Sequence, residues 1–353
     1  MESSPHIRLV EYGNRASAQG GCEKMRNRFF TAPFYILLKK QRILNREDWD
    51  GQRKRDCRLR CILIKYNEIY ENIQSKKRGI KMAVDNTFII KKIQAMDGLY
   101  AAFSPLTRMP YVECDGETFD DQVYIFGTEE SIRGFVKEKN EEKIPLQPFK
   151  IPKEQMSGFL TSLYALAANM VIYTDEAGVV KIDLEQLAQK PNMEKLAQEK
   201  IPVLNPTLTL TVLYFIQELR RPVEHDMAKL KEMEEEMIAN LVKSRFILAL
   251  EDSEKKPDGT SNLRIPFMKT QEGDMYQPIF SDFAEFRKYA GANAQKYRVS
   301  NLNFSDLSKL IQKDVKGYVV NPAGFNLVLT REQIKKVSDE YEIGKNEEIP
   351  EAK

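Results

Sequence analysis

The stretch QPIFSDFAEFRKYA at 277–290 decides the fold, because an earlier stretch, VYIFGTEESIRGFV at 123–136, follows the same plan. Each ends a strand-like run on a phenylalanine, Phe126 or Phe280. Each then turns a polar corner into an amphipathic helix, with Arg133 and Arg287 at equivalent places. In the later stretch Phe283, Phe286 and Tyr289 share one helical face, and Asp282 with Glu285 has the spacing of a capping box. The equivalence extends in both directions. MPYV at 109–112 matches IPFM at 265–268, and MVIYTDEAGVVKIDLEQL at 170–187 matches GYVVNPAGFNLVLTREQI at 317–334 with one gap near the shared Ala-Gly. Asp183 and Gln186 thereby fall on the capping positions of Thr330 and Gln333. Phe280 lies 154 positions beyond Phe126, and Gly324 lies 146 beyond Gly178. That period is far longer than a solenoid repeat, so a whole domain is duplicated.

The second copy is the more regular. LVKSRFILALE (241–251) leads from a helix end into a strand. LRIPFMKT (263–270) and MYQPIFS (275–281) read as strands around the turn Gln271-Glu272-Gly273-Asp274. A strand over Tyr297 to Leu302 precedes a helix, FSDLSKLIQK, with Ser305 as its cap and Phe304 as a hydrophobic staple. GYVVNPAGFNLVLT then reads as strand, turn, strand, and Thr330 with Gln333 opens a last helix. Between the copies, NPTLTLTVLYFIQELRR (205–221) starts a helix at Pro206, and Pro222 interrupts it. A further helix, from about His225 to Lys243, places Leu230, Met233, Met237, Ile238 and Leu241 at core spacing. The expected class is therefore α+β: two tandem repeats of a mixed-sheet domain with flanking helices, joined by a helical linker. The expected division is a basic extension at 1–81, a diverged first domain at 82–190, a helical linker at 191–240, a second domain at 241–340 and a polar, disordered tail at 341–353.

Composition fits this division. The 353 residues are 42% hydrophobic and 30% charged with a net charge of +2, as in ordinary globular chains. The charge is uneven. Residues 1–81 hold 19 Lys/Arg against 9 Asp/Glu, and the remainder holds 35 against 43. One reading of the first segment is a basic arm for nucleic acid or an anionic membrane surface. The other is translated upstream DNA: KKRGIKMA (76–83) could encode a purine-rich ribosome-binding sequence ahead of a start at Met82. The acidic remainder argues against nucleic acid as partner of residues 82–353. No apolar run approaches the roughly 20 residues of a membrane span, and the first 30 residues show no secretory signal, so the expected location is cytoplasmic.

Few chemistries find the residues they need. His225 is the one histidine between residues 82 and 353, and it lies outside both repeats, which leaves no Ser–His or Cys–His pair within a repeat. Cys22, Cys57, Cys61 and Cys114 form no CxxC pair, so no metal site is expected. No GxGxxG or P-loop sequence occurs, so no nucleotide cofactor is expected. The carboxylate pairs, Asp274 with Asp282 and Asp115 with Asp120, fall in turns and caps, where aspartate is ordinary.

The second-copy block IPFMKTQEGDMYQPIFSDFAEFRKY, with FSDLSKLI and GYVVNPAGFNLVLTREQI, resembles the SseB (enhanced serine sensitivity) N-terminal domain family, closely over 241–340 and weakly over 82–190. The resemblance implies a bacterial protein, often duplicated, without an assigned activity, and it supplies no catalytic residues.

The expectation is a non-enzymatic binding or regulatory module for a protein partner or a small molecule. Its candidate contact residues are Asn321, Pro322, Gly324, Phe325 and Asn326 in one turn, Asp274 and Tyr276 at another, and Arg287. The alternative is a small-ligand sensor or an enzyme with a pocket between the repeats. A cleft where Arg133, Arg287, Asp282 and Asn321 converge would mark it.

Overall fold

The computed structural model describes residues 86–191, 202–255 and 261–341. The basic segment 1–81 with both of its readings, the start at Met82 and the tail beyond Tyr341 lie outside the described residues.

The first half runs α1 (Thr87–Ala95), β1 (Gly98–Ser104), β2 (Met109–Pro110), β3 (Val112–Cys114), β4 (Asp121–Phe126), α2 (Glu129–Glu141), β5 (Gln147–Pro152), α3 (Lys153–Ser162), β6 (Met170–Asp175), β7 (Gly178–Asp183) and α4 (Leu184–Leu187). After α5 (Pro206–Leu219) the second half repeats the order. It has α6 (Met227–Val242), β8 (Arg245–Lys255), β9 (Ser261–Arg264), β10 (Met268–Lys269), β11 (Met275–Phe280), α7 (Phe283–Ala290), β12 (Tyr297–Asn303), α8 (Phe304–Leu310), β13 (Gly317–Val320), β14 (Leu327–Thr330) and α9 (Arg331–Glu340).

Each half builds its own seven-stranded mixed sheet, and the two sheets are wired alike. The central path is β5–β1–β4–β6–β7 in one and β12–β8–β11–β13–β14 in the other, with β2 and β3 attached to β1 and β4 as β9 and β10 are to β8 and β11. One pair in each path is parallel, β4 with β6 and β11 with β13. The registers agree with the repeat read from sequence: Met170 faces Asp183 as Gly317 faces Thr330. The parallel strands are covered on both faces, which is why GYVV and MVIY read as unbroken apolar runs.

Helix starts follow side-chain chemistry. Thr330 and Gln333 close a capping box on α9, whereas Asp183 stands at the N-cap of α4 without a side-chain cap bond. Asp282 caps α7 by accepting from the Glu285 amide, but Glu285 does not bond back. α8 is capped by Asn303 with Asp306, not by Ser305. The side chain two positions earlier reaches the orphan amides first, and Phe304 becomes the buried first residue of the helix. Phe280 and Phe286 are fully buried, each contributing about 1.5–3 kcal/mol. Phe283 is 42% exposed, with the Arg287 guanidinium 5.1 Å over its ring.

The two sheets share one core. α5 buries Leu208, Val212, Leu213, Phe215 and Ile216 in a cluster that takes Leu99, Val123, Ile125 and Val171 from the first sheet and Phe246, Leu248, Ile279 and Val320 from the second. A helix apolar on most of its surface belongs inside, and α5 sits there. α2 and α7 cover smaller clusters, around Phe126 in the first half and around Phe280 in the second.

Candidate functional site

The turn at 321–326, expected to offer a surface, is mostly buried. Asn321 is 0% exposed with φ +51°, a left-handed conformation that asparagine tolerates better than most side chains. Its amide donates to the Ile279 carbonyl (2.9 Å), and its own carbonyl accepts from Gly324 and Asn326. Its side chain accepts from the Ser281 amide (2.8 Å) and donates to Ser281 Oγ (2.7 Å). Ser281 Oγ in turn donates to Asp282 (2.9 Å). Pro322, Gly324 and Phe325 are buried, and Asn326, also at positive φ, is half-buried. A Cβ on Gly324 would stand 2.3 Å from Glu285 Oε2, so a larger residue here would have to push that carboxylate end aside.

Two cations tie this turn to the rest of the molecule. Arg220, just past the end of α5, donates to the carbonyls of Phe325 (3.0 Å) and Asn326 (3.0 Å) in the second half and of Leu106 (2.6 Å) in the first. Lys288 pairs with Glu285 Oε1 and reaches Met109 Sδ across the joint at 3.4 Å. Glu285 is 3% exposed and its Oε2 has no hydrogen-bond partner among the described residues. Burial pushes its carboxyl above the ordinary range, and Lys288 pulls partly against that. The first half lacks this network, because Gly127 and Thr174 stand at the places of Ser281 and Asn321. Sequence reasoning assigned Glu285 only to a cap and did not single out Arg220, Ser281 or Lys288. The one signal available was a glutamate on the inward face of α7, next to Phe286.

The other turn lies at the opposite end of β11. Tyr276 and Phe280 are four residues apart, about 13 Å along an extended strand, so Asp274 and Tyr276 do not join Asn321 in one surface. Tyr276 instead borders an open cavity of about 420 Å³ lined with Lys313, Lys316, Thr330, Arg331 and Glu332. Its rim is held in place. Lys316 Nζ lies 2.8 Å from Asp274 Oδ1, and Arg331 donates to the carbonyls of Gln312 (2.7 Å) and Val315 (2.9 Å). Burial and the Asp274 charge push the Tyr276 hydroxyl up, and the bond to Asp274 raises the Lys316 ammonium. A second cavity, of about 530 Å³, lies on the first half beside Arg133, Lys137, Asn140 and Pro148. Arg133 is bonded to Glu129 on the surface of α2, Arg287 covers Phe283, and Asp282 and Asn321 bond to Ser281 inside. The four residues proposed for an inter-repeat cleft therefore do not converge.

Residues 223–336 match the SseB protein N-terminal domain. The match opens just before α6 and closes within α9, so it frames the second half, α6 included. The first half lies outside this match and shares the strand wiring of the second. Two solved structures are similar. Tic22 from Plasmodium falciparum is 13% identical over 72% of this chain and 98% of its own, with a TM-score of 0.17. Anabaena Tic22 (protein transport) is 11% identical over 61% of this chain and 80% of its own, also with a TM-score of 0.17. Likenesses at that score support no inference about this chain. Comparison with curated proteins finds no match. Among the described residues no helix is long and apolar enough to cross a membrane.

Proposed function

We propose that the chain is a non-enzymatic binding module made of two SseB-type halves, of which the second meets a protein partner through the Asp274–Tyr276–Lys316–Arg331 end of its sheet. The observation behind this reading is the open, charged cavity beside Tyr276, whose rim is fixed in advance by the Lys316–Asp274 pair and the Arg331 carbonyl bonds. Side chains already held in place lose little freedom when a partner arrives. Asn321, Pro322, Gly324 and Phe325 support the same sheet from its other end, and Arg287 lies on a separate helix face. The cavity carries Lys313, Lys316 and Arg331 against Asp314 and Glu332, so it suits a partner segment of mixed charge. A ligand sensor with its pocket between the repeats draws no comparable support, since the two cavities described lie one on each half.

Affinity capture with the full chain tests the reading. A Tyr276→Ala, Lys316→Glu variant should lose specific partners that the parent captures while its urea unfolding stays a single cooperative transition. Identical capture by both chains would remove this end of the sheet as the site.

A further inference from the structure

Single apolar side chains at a surface are ordinary. Phe119 is set apart by the backbone that carries it. It is 67% exposed and sits at φ +59°. That left-handed region is open to glycine, tolerated by asparagine and strained for a bulky side chain. The second half shows what the position asks for. The β3–β4 hairpin closes with the Asp115 amide on the Asp120 carbonyl, and the β10–β11 hairpin with the Thr270 amide on the Asp274 carbonyl, both at 2.9 Å. In each hairpin the residue just before the closing aspartate is left-handed, Phe119 in one and Gly273, at φ +91°, in the other. The glycine carries no strain. The phenylalanine does, and with most of its surface in water it does not recover that cost by packing. Strain of this kind persists where a side chain has work to do.

The loop that presents the ring is fixed. Asp115 Oδ1 accepts from the amides of Glu117 (2.9 Å) and Thr118 (3.1 Å), and the Phe119 amide donates to the Asp115 carbonyl (2.9 Å). Asp115 Oδ2 is held in turn by Gln122 (2.8 Å) and Lys181. An aromatic anchor on an ordered loop loses little freedom when a partner covers it. Charge decides what covers it. Residues 115–121 hold four acidic residues and no basic one. Lys181 answers Asp115, and the Tyr214 hydroxyl donates to Asp121. Glu117 is exposed and unpaired among the described residues, and the Asp120 carboxylate accepts from the neutral Asn169 amide (2.8 Å). A second copy of this face would bring the same charge, and an anionic membrane would be repelled.

We propose that Phe119 anchors a partner protein through a basic, apolar segment of that partner, with apolar side chains over the ring and cations beside Glu117 and Asp120. The hairpin belongs to the first half and the Tyr276 cavity to the second, so this inference stands or falls independently of the proposed function.

The test uses the full chain and fluorescein-labelled peptides of one length, made of Leu and Lys, of Leu and Glu, or of Ser and Lys. Anisotropy should show the Leu–Lys peptide binding at least about tenfold more tightly than either control, and Phe119→Asn should weaken it by about tenfold. Hydrogen exchange on the saturated wild-type chain should show new protection within residues 115–121. The urea midpoint of Phe119→Asn should be no lower than that of the parent, because asparagine suits the left-handed position. A lowered midpoint would mean that Phe119 serves the fold, and would overturn the proposal. Leu–Lys binding no tighter than a control, binding unchanged by Phe119→Asn, or protection confined to another element would overturn it too. So would self-association, or binding to phosphatidylcholine vesicles, that Phe119→Asn abolishes, since the ring would then belong to a second copy or to a lipid surface.

Discussion

Glu285 is the residue whose chemistry is most out of line with its surroundings. A carboxylate that is almost fully enclosed, with one oxygen unpartnered, is costly in its charged form. Burial accordingly raises its pKa in the folded state above that of the unfolded chain. For an acid shifted in this direction, the stabilisation belongs to the protonated form. It is complete below the ordinary carboxylate range, near pH 4.3, and is lost as pH rises through the folded value. Glu285→Gln should remove that loss. Urea unfolding across a pH series should show wild type falling relative to the glutamine variant as pH rises from the carboxylate range towards neutrality, whereas parallel curves would mean that Glu285 is solvated. The sequence showed Glu285 only as the third residue after a cap. The spacing of Asp282 and Glu285 satisfies two demands, a capping box and an inward helix face, and only packing against Gly324 decides which one the carboxylate serves. Phe283 misled for the opposite reason. It shares a helical stripe with Phe286, but it is 42% exposed and lies under the Arg287 guanidinium instead of in the core.

Strands and turns were far more legible than the side chains that join them. The equivalence of Met170–Asp183 with Gly317–Thr330 was readable because residue types repeat with the strand register, and that register is fixed once one face must be buried. The cap of α8 was not readable, since Asn303 and Ser305 both cap well and their order along the chain decides. The 321–326 turn was found, but its role was not. An Asn-Pro-Ala-Gly turn looks the same in sequence whether it faces solvent or another part of the fold. What buries it is Arg220, some hundred positions earlier. A turn used this way should be sensitive to substitution. Asn321→Ala removes two buried side-chain bonds and places alanine at positive φ, so it should cost about 2–4 kcal/mol. Gly324→Ala should cost about 1–3 kcal/mol through the clash with Glu285. Denaturant midpoints measure both. A change within about 0.5 kcal/mol in either variant would show a turn free to move.

At the scale of the whole molecule, the likeness of the halves and their fusion pull in different directions. Identical wiring gives each half a complete sheet of its own. The shared cluster around α5 says that neither now keeps its apolar face to itself. α5 lies inside that shared core because LTLTVLYFI has no polar stripe to offer water, whereas α6 buries only Leu230, Met237 and Leu241. Fusion is reinforced by Arg220, which holds backbone carbonyls of both halves at once. Native-state hydrogen exchange, resolved by strand, tests this account of one body made from two like halves. The slowest amides of β4 and β11 should report the same opening free energy, within about 0.5 kcal/mol, and Arg220→Ala should lower both together by about 2–3 kcal/mol. Opening energies that differ by more than about 1 kcal/mol, or an Arg220→Ala effect confined to one sheet, would contradict a single cooperative core.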